Sequence, residues 1–78
     1  MAEPKAQTRI EQALRAWRLS EAKHRKIPAF RVFSDRALRG IATTCPRSDA
    51  ELLAVPGIGM SIVKKYGTQL YRLIAGSS

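Results

Sequence analysis

The apolar positions of this chain follow a helical rhythm almost from end to end. From about Gln7 to about Arg25, Ile10, Leu14 and Trp17 recur at intervals of three and four residues, with Ala13 and Ala22 beside them and charged residues on the other faces. That spacing predicts an amphipathic helix. At about 1.5 Å per residue it runs on the order of 27 Å, the width of a small domain, so every other element must pack against it. Gln7 or Thr8 is placed to begin it, and Pro4 lies too early to interrupt it. The run Lys23-His24-Arg25-Lys26 closes it with positive charge, which complements the partial negative charge of a helix C-terminus.

Pro28 blocks continued helix, and Ile27-Pro28-Ala29-Phe30-Arg31-Val32-Phe33 reads as an ordered connection pinned to the core by Val32 and Phe33. Ser34 is a good N-cap, Asp35 occupies the first turn where a carboxylate is favoured, and Leu38, Ile41 and Ala42 supply a buried stripe, so a second helix is predicted from about Asp35 to Thr43. After Pro46, Ser48-Asp49-Ala50-Glu51 has capping-box spacing, with Ser48 and Glu51 each satisfying the other's free amide ahead of Leu52 and Leu53 in a short third helix. Val55-Pro56-Gly57-Ile58-Gly59 is a tight turn, with Ile58 pointing inward between two glycines. Helix resumes through Met60 to Tyr66; Gly67 breaks or caps it, and Thr68 starts a last helix through Leu70, Tyr71, Leu73 and Ile74. The prediction is all-α, a compact bundle of about five helices in a single domain over 7–75, with a flexible segment at 1–6 and a frayed end at 76–78.

Composition changes this picture in one respect. The hydrophobic share of 45% over 78 residues is that of one folded domain, without room for an ATPase or nuclease. Against 6 Asp and Glu stand 14 Lys and Arg, a net charge of +8 that no fold requires and that favours polyanions. Most of the cations precede Ser48; only Lys64, Lys65 and Arg72 follow it. Cys45 is the only cysteine, which excludes an intrachain disulfide and a cysteine-based zinc site and implies a reducing, cytoplasmic setting. No signal-peptide core or membrane-length apolar run is present, so no membrane partner is expected. The opening Met1-Ala2-Glu3-Pro4, followed almost at once by helix, implies a fragment of a larger protein.

Catalytic readings find no support. There is no glycine-Lys-Ser/Thr phosphate loop, and Gly57-Ile58-Gly59 is followed by Ile62 where a dinucleotide fingerprint needs glycine. The six carboxylates are dispersed, with Asp35 and Glu51 already assigned to helix starts. His24 reads as a solvated residue of a basic run, and Cys45 as a loop thiol with no activating base. Neither a cofactor nor a metal is expected, and the chain is not itself an enzyme. One segment does carry a mechanism. Leu52 to Lys65 has the helix, Gly-apolar-Gly turn and helix of a helix-hairpin-helix unit, in which glycines expose amides at the positive end of the second helix to a phosphate. Alternatively Gly57 and Gly59 only permit a compact corner.

Taken in order, Leu14, Trp17, Arg18 and Ala22, then Ile27-Pro28-Ala29-Phe30-Arg31-Val32-Phe33-Ser34-Asp35, then Leu38, Ile41, Ala42 and Pro46, and finally Glu51-Leu52, Gly57-Ile58-Gly59 and Tyr66-Gly67 resemble one family, the HRDC (helicase and RNase D C-terminal) domain. The resemblance runs from about Ile10 to about Ile74 and is most like the domains of RecQ-type DNA helicases, and it leaves the parent open between a RecQ-type helicase, a UvrD-like helicase and the nuclease RNase D. It implies an accessory module of about five helices that helps such an enzyme engage nucleic acid; the positive charge, and the lack of a recognition helix with a base-reading set, add the expectation of single-stranded or partial duplex DNA held through phosphates and without sequence specificity. It also leaves open a regulatory docking role, on the parent helicase core or an acidic partner. A monomer, nucleoid-associated if bacterial, is expected.

The binding surface expected from the residues joins Arg25, Lys26 and Arg31 around Phe30 with Gly57, Gly59, Lys64 and Lys65 of the Gly-turn and the helix after it. Basic grooves with aromatic faces hold single strands, and Phe30 serves if it is exposed; the alternative is burial. Tyr66 and Tyr71 carry the same ambiguity, while Trp17 belongs to the core. Arg15, Arg18, Arg36 and Arg39 form a competing basic face, unless Arg18 packs its stem and pairs with Asp35 or Glu21.

Overall fold

The structure is a computed structural model that describes residues 4–77. Helix α1, Pro4–Arg25, is the spine. A 3-10 turn at Ala29–Arg31 leads to α2, Asp35–Thr44; α3, Asp49–Leu53, and α4, Met60–Ser77, complete the chain. These four α-helices and one 3-10 turn are close to the expected bundle of about five helices, the expected fourth and fifth being one helix, α4, and no strand occurs among the described residues. The expected end segments at 1–6 and 76–78 lie partly outside the described residues; α1 already runs from Pro4, and α4 continues to Ser77.

Polar links between helices fix the topology. Gln7 donates to Thr43 at 2.9 Å and Arg18 to Asp35 at 2.7 Å, so α2 lies antiparallel on α1. On the other side Arg9 reaches the Ser77 carbonyl at 3.3 Å, Trp17 donates its indole N–H to Gln69 at 3.3 Å, and the Tyr66 hydroxyl donates to Glu21 at 2.9 Å. Helix α4 therefore also runs antiparallel to α1. Between them Ile10, Leu14, Leu38, Ile41, Leu52, Leu70 and Ile74 are fully buried, and burial of each large aliphatic contributes about 1.5–3 kcal/mol before entropy is subtracted. Among the described residues no helix is long and apolar enough to cross a membrane.

The helix starts are set locally. The Ser34 hydroxyl accepts from the Ala37 amide at 3.1 Å, and Ser48 accepts from the Glu51 amide at 3.2 Å. The reciprocal half of the expected capping box is shifted by one residue: the Glu51 carboxylate accepts from the Arg47 amide at 2.8 Å, which the chain presents as it leaves buried Pro46. At the end of α1, Lys26 takes a left-handed conformation (φ 58°), its amide donating to Lys23 while the Ile27 amide donates to Ala22. This is a Schellman closure built on lysine where glycine is usual. Cys45 closes α2 with φ 49° and is half-buried.

One element departs from expectation. Gly67 neither breaks nor caps a helix; α4 is continuous through it. A mid-helix glycine costs about 1 kcal/mol relative to alanine, but Val63, Tyr66, Leu70 and Ile74 bury one uninterrupted stripe across that position, and packing outweighs propensity.

Candidate nucleic-acid interface

The end of α1, the 3-10 turn and the first two turns of α4 meet around a cleft of about 170 Å³. Arg25 comes from α1, Ile27, Arg31 and Val32 from the connection, and Ser61, Ile62, Lys65 and Tyr66 from α4. Two consecutive elements and a third distant in sequence thus bring Arg25, Arg31 and Lys65 to one place, over apolar side chains. The Schellman closure makes this possible. It swings Ile27 against the core and reverses the chain, so that the 3-10 turn returns beside α4.

Beneath the rim, Glu21 ties the cleft together. Its carboxylate accepts from the Tyr66 hydroxyl and from the Arg25 Nε one helical turn away. The Arg25 hydrogen bond, and then that of Tyr66, hold the Glu21 carboxyl below the ordinary carboxylate range, so it is charged at neutral pH. The Arg25 guanidinium sits 5.5 Å from the Tyr66 ring centre and the Lys65 ammonium 5.9 Å from it, both within cation–π range. Tyr66 itself is buried, edge-on to Trp17 with centroids 5.0 Å apart. Burial, and then Glu21, push its hydroxyl up from the ordinary tyrosine value.

Of the aromatic alternatives, Phe30 is on the outside. It is 69% exposed on the same turn as Arg31, whereas Phe33 is buried and stacks on Trp17 at 6.0 Å. Tyr66 is a core residue and offers no face for a base. Tyr71 is half-buried and donates to Asp49 at 2.6 Å; burial, with that carboxylate second, pushes its hydroxyl up to about 12. Trp17 is half-buried against the core.

The remaining expected site residues do not line the cleft. Lys26 is exposed next to Arg25, and Lys64 is exposed on α4 beside Lys65. Gly57 has φ +91°, and a Cβ there would stand 3.3 Å from the Cβ of Ala37, so this glycine makes the corner against α2. Gly59 heads α4: its carbonyl accepts from the Ile62 and Val63 amides, and a Cβ on it would meet nothing within 4 Å. Ser61, Ile62 and the half-buried anchor Glu21 are not among the expected site residues. Only Glu21 left a signal, its four-residue spacing to Arg25.

The competing basic face is constructed differently. Arg18 is 7% exposed and donates to the Phe33 carbonyl at 3.0 Å and to Asp35 at 2.7 Å. Arg15 also approaches Asp35, at 3.7 Å, and Glu11 at 3.8 Å. Arg18, with Arg15 and Arg39 adding smaller contributions, holds the Asp35 carboxyl below its ordinary range. Among the described residues no group of three or more His, Cys, Asp and Glu could hold a metal ion.

A short antiparallel helical bundle with a cationic cleft at one end defines a small helical binding module. The HRDC domain family model matches residues 7–74, and the chain belongs to that family of non-catalytic accessory domains associated with helicases and nucleic acid. Over 63 residues, 81% of this chain, it is 44% identical to the ATP-dependent DNA helicase UvrD2 of Mycobacterium tuberculosis and of Mycobacterium bovis, and the match spans 9% of those proteins. The D. radiodurans RecQ HRDC domain 3 superposes with a TM-score of 0.85 at 33% identity, over 90% of this chain and 92% of that one.

Proposed function

We propose that this HRDC domain holds DNA, single-stranded or at a partial duplex, for a parent DNA helicase, through phosphate contacts to Arg25, Arg31 and Lys65. The observation that carries this reading is the meeting of those three cations at one cleft, with exposed Phe30 on the adjoining turn. Phosphate contacts of this kind position a strand without reading its sequence. Phe30 supplies a face on which an unpaired base stacks, which favours single strands over closed duplex. Lys26, Lys64 and the head of α4 at Gly59 extend the positive surface, while Gly57 serves the corner. The identity to UvrD2 exceeds that to the RecQ domain, which favours a UvrD-like parent over a RecQ-type one. Work on DNA in repair or recombination, inside the cell, follows from such a parent.

Fluorescence anisotropy with labelled single-stranded and partial-duplex DNA, titrated at several salt concentrations, tests the reading. Saturable binding that weakens as salt rises supports it, because each phosphate neutralised on a single strand adds about 0.7 to the log–log slope. Absence of binding at low salt by the folded chain rejects it.

A second reading has one observation in its favour. A groove of about 300 Å³ opens between α2, α3 and the Pro56 turn, lined by Gly40, Thr44, Glu51, Ala54, Val55 and Pro56. Loss of DNA binding in the assay above would move docking on the helicase core, through that groove, to first place.

A further inference from the structure

We infer that Glu21 is a built-in competitor for the ligand of the cleft, occupying Arg25 until a phosphate replaces it. The inference rests on the cleft being the phosphate site.

Among the described residues the other carboxylates are engaged elsewhere in the fold. Glu11 and Asp35 face Arg15 and Arg18, Asp49 accepts from Tyr71, and Glu51 accepts from the Arg47 amide. Among the described residues only Glu21 contacts groups that line the cleft, and it contacts two of them, Arg25 and Tyr66. Its side chain is only 18% exposed, and it reaches the guanidinium from within the fold. The Tyr66 hydroxyl, itself fixed by the Trp17 packing, keeps the carboxylate in that position.

A carboxylate and a phosphate ask for the same thing from arginine, a charge-assisted N–H···O bond. An internal carboxylate makes that bond without losing translational freedom, so it competes at a high effective concentration. It also cancels part of the positive potential that draws the ligand in. Arg31 and Lys65 have no ion pair within 4.0 Å among the described residues, so the first capture of a phosphate falls to them. Arg25 joins only when it leaves Glu21. The consequence is a site that binds DNA weakly and releases it readily, which suits a module whose parent moves along a strand.

The test is a double-mutant cycle on the full chain with a labelled single-stranded DNA oligomer as probe. Glu21→Gln keeps an acceptor for Arg25 and Tyr66 but removes the charge, and it is expected to tighten binding about threefold to fivefold, the size of one unit charge a few ångströms away at high effective dielectric. In an Arg25→Ala background the same change is expected to give little gain, because the residue competed for is gone. An equal gain in both backgrounds overturns the inference and leaves Glu21 as a general field effect. An unchanged affinity on Glu21→Gln also overturns it while the cleft reading stands, provided that Arg31→Ala and Lys65→Ala weaken binding. If the wild-type chain binds no DNA, the cleft reading fails and the inference with it. Helical content and thermal melting of each variant are measured alongside, and Glu21→Ala replaces Glu21→Gln if the latter does not fold.

Discussion

Arg18 and Arg25 lie seven residues apart on α1, two turns along nearly the same side of one helix, yet the molecule uses them in opposite ways. Arg18 is enclosed: Phe33 lies against its guanidinium, the Phe33 carbonyl and Asp35 accept its N–H groups, and its Nε is buried without a partner. Arg25 is exposed at the rim of a cleft and is held by one carboxylate from its own helix. The difference lies in what the rest of the bundle places opposite each. Asp35 and the inward-turning Phe33 receive Arg18, whereas Arg25 meets the 3-10 turn and α4, which bring more cations. One arginine fastens α1 to α2; the other is paired only within its own helix, at the rim of the cleft.

Arg18→Met breaks the comparison hardest. It keeps most of the stem volume but leaves the Phe33 carbonyl unpaired, and a loss of about 2–3 kcal/mol in urea denaturation is expected. DNA affinity of the protein that remains folded should not change. Next in size is the opposite experiment. Arg25→Ala, Arg31→Ala and Lys65→Ala together should lower affinity at least roughly tenfold and reduce the log–log salt slope by about 2, with little loss of stability. Anisotropy titrations at two salt concentrations read both quantities; an unchanged slope assigns phosphate contact to another face.

Phe30→Ala removes an exposed ring and should leave the thermal midpoint in place while costing about 1–2 kcal/mol of single-strand affinity, less for duplex. Equal losses on the two substrates would dismiss base stacking. Lys26→Gly has a smaller effect of mixed sign. Relief of the left-handed lysine should stabilise the fold by up to about 1 kcal/mol, measured by denaturation, while the lost charge slightly weakens DNA binding. The smallest effect is on the acid limb. Because Arg18 depresses the folded-state carboxyl of Asp35, that pair contributes stability above the ordinary carboxylate value near 3.9 and loses it as pH falls through the lower folded value. Stability measured between pH 5 and pH 2 should therefore fall less steeply in Arg18→Met than in the wild type.

Much of the fold was legible before any coordinates. Ser34 and Ser48 cap where their spacing said, Val32 and Phe33 pin the connection, and the α1 stripe of Ile10 and Leu14 is fully buried. These features depend on neighbours within a few residues, which a sequence displays directly. Gly67 was misread because helix propensity is a local preference of about 1 kcal/mol, smaller than the burial of the α4 stripe that crosses it. Phe30 stays open between burial and exposure in the sequence, since only the folded chain shows that Phe33 and Tyr66 are the rings packed on Trp17 and that Phe30 is left outside.

By itself, then, the sequence determined an all-helical domain of high positive charge with its caps and turns in place, because periodicity, capping and charge are properties of the chain read locally. Only the tertiary structure decided which of the cations are consumed and which are offered. That choice depends on pairs far apart in sequence, Arg18 with Asp35 and Arg25 with Lys65 across the cleft. Whether a charge is buried, paired or exposed depends on what the folded chain puts opposite it, and no local pattern encodes that.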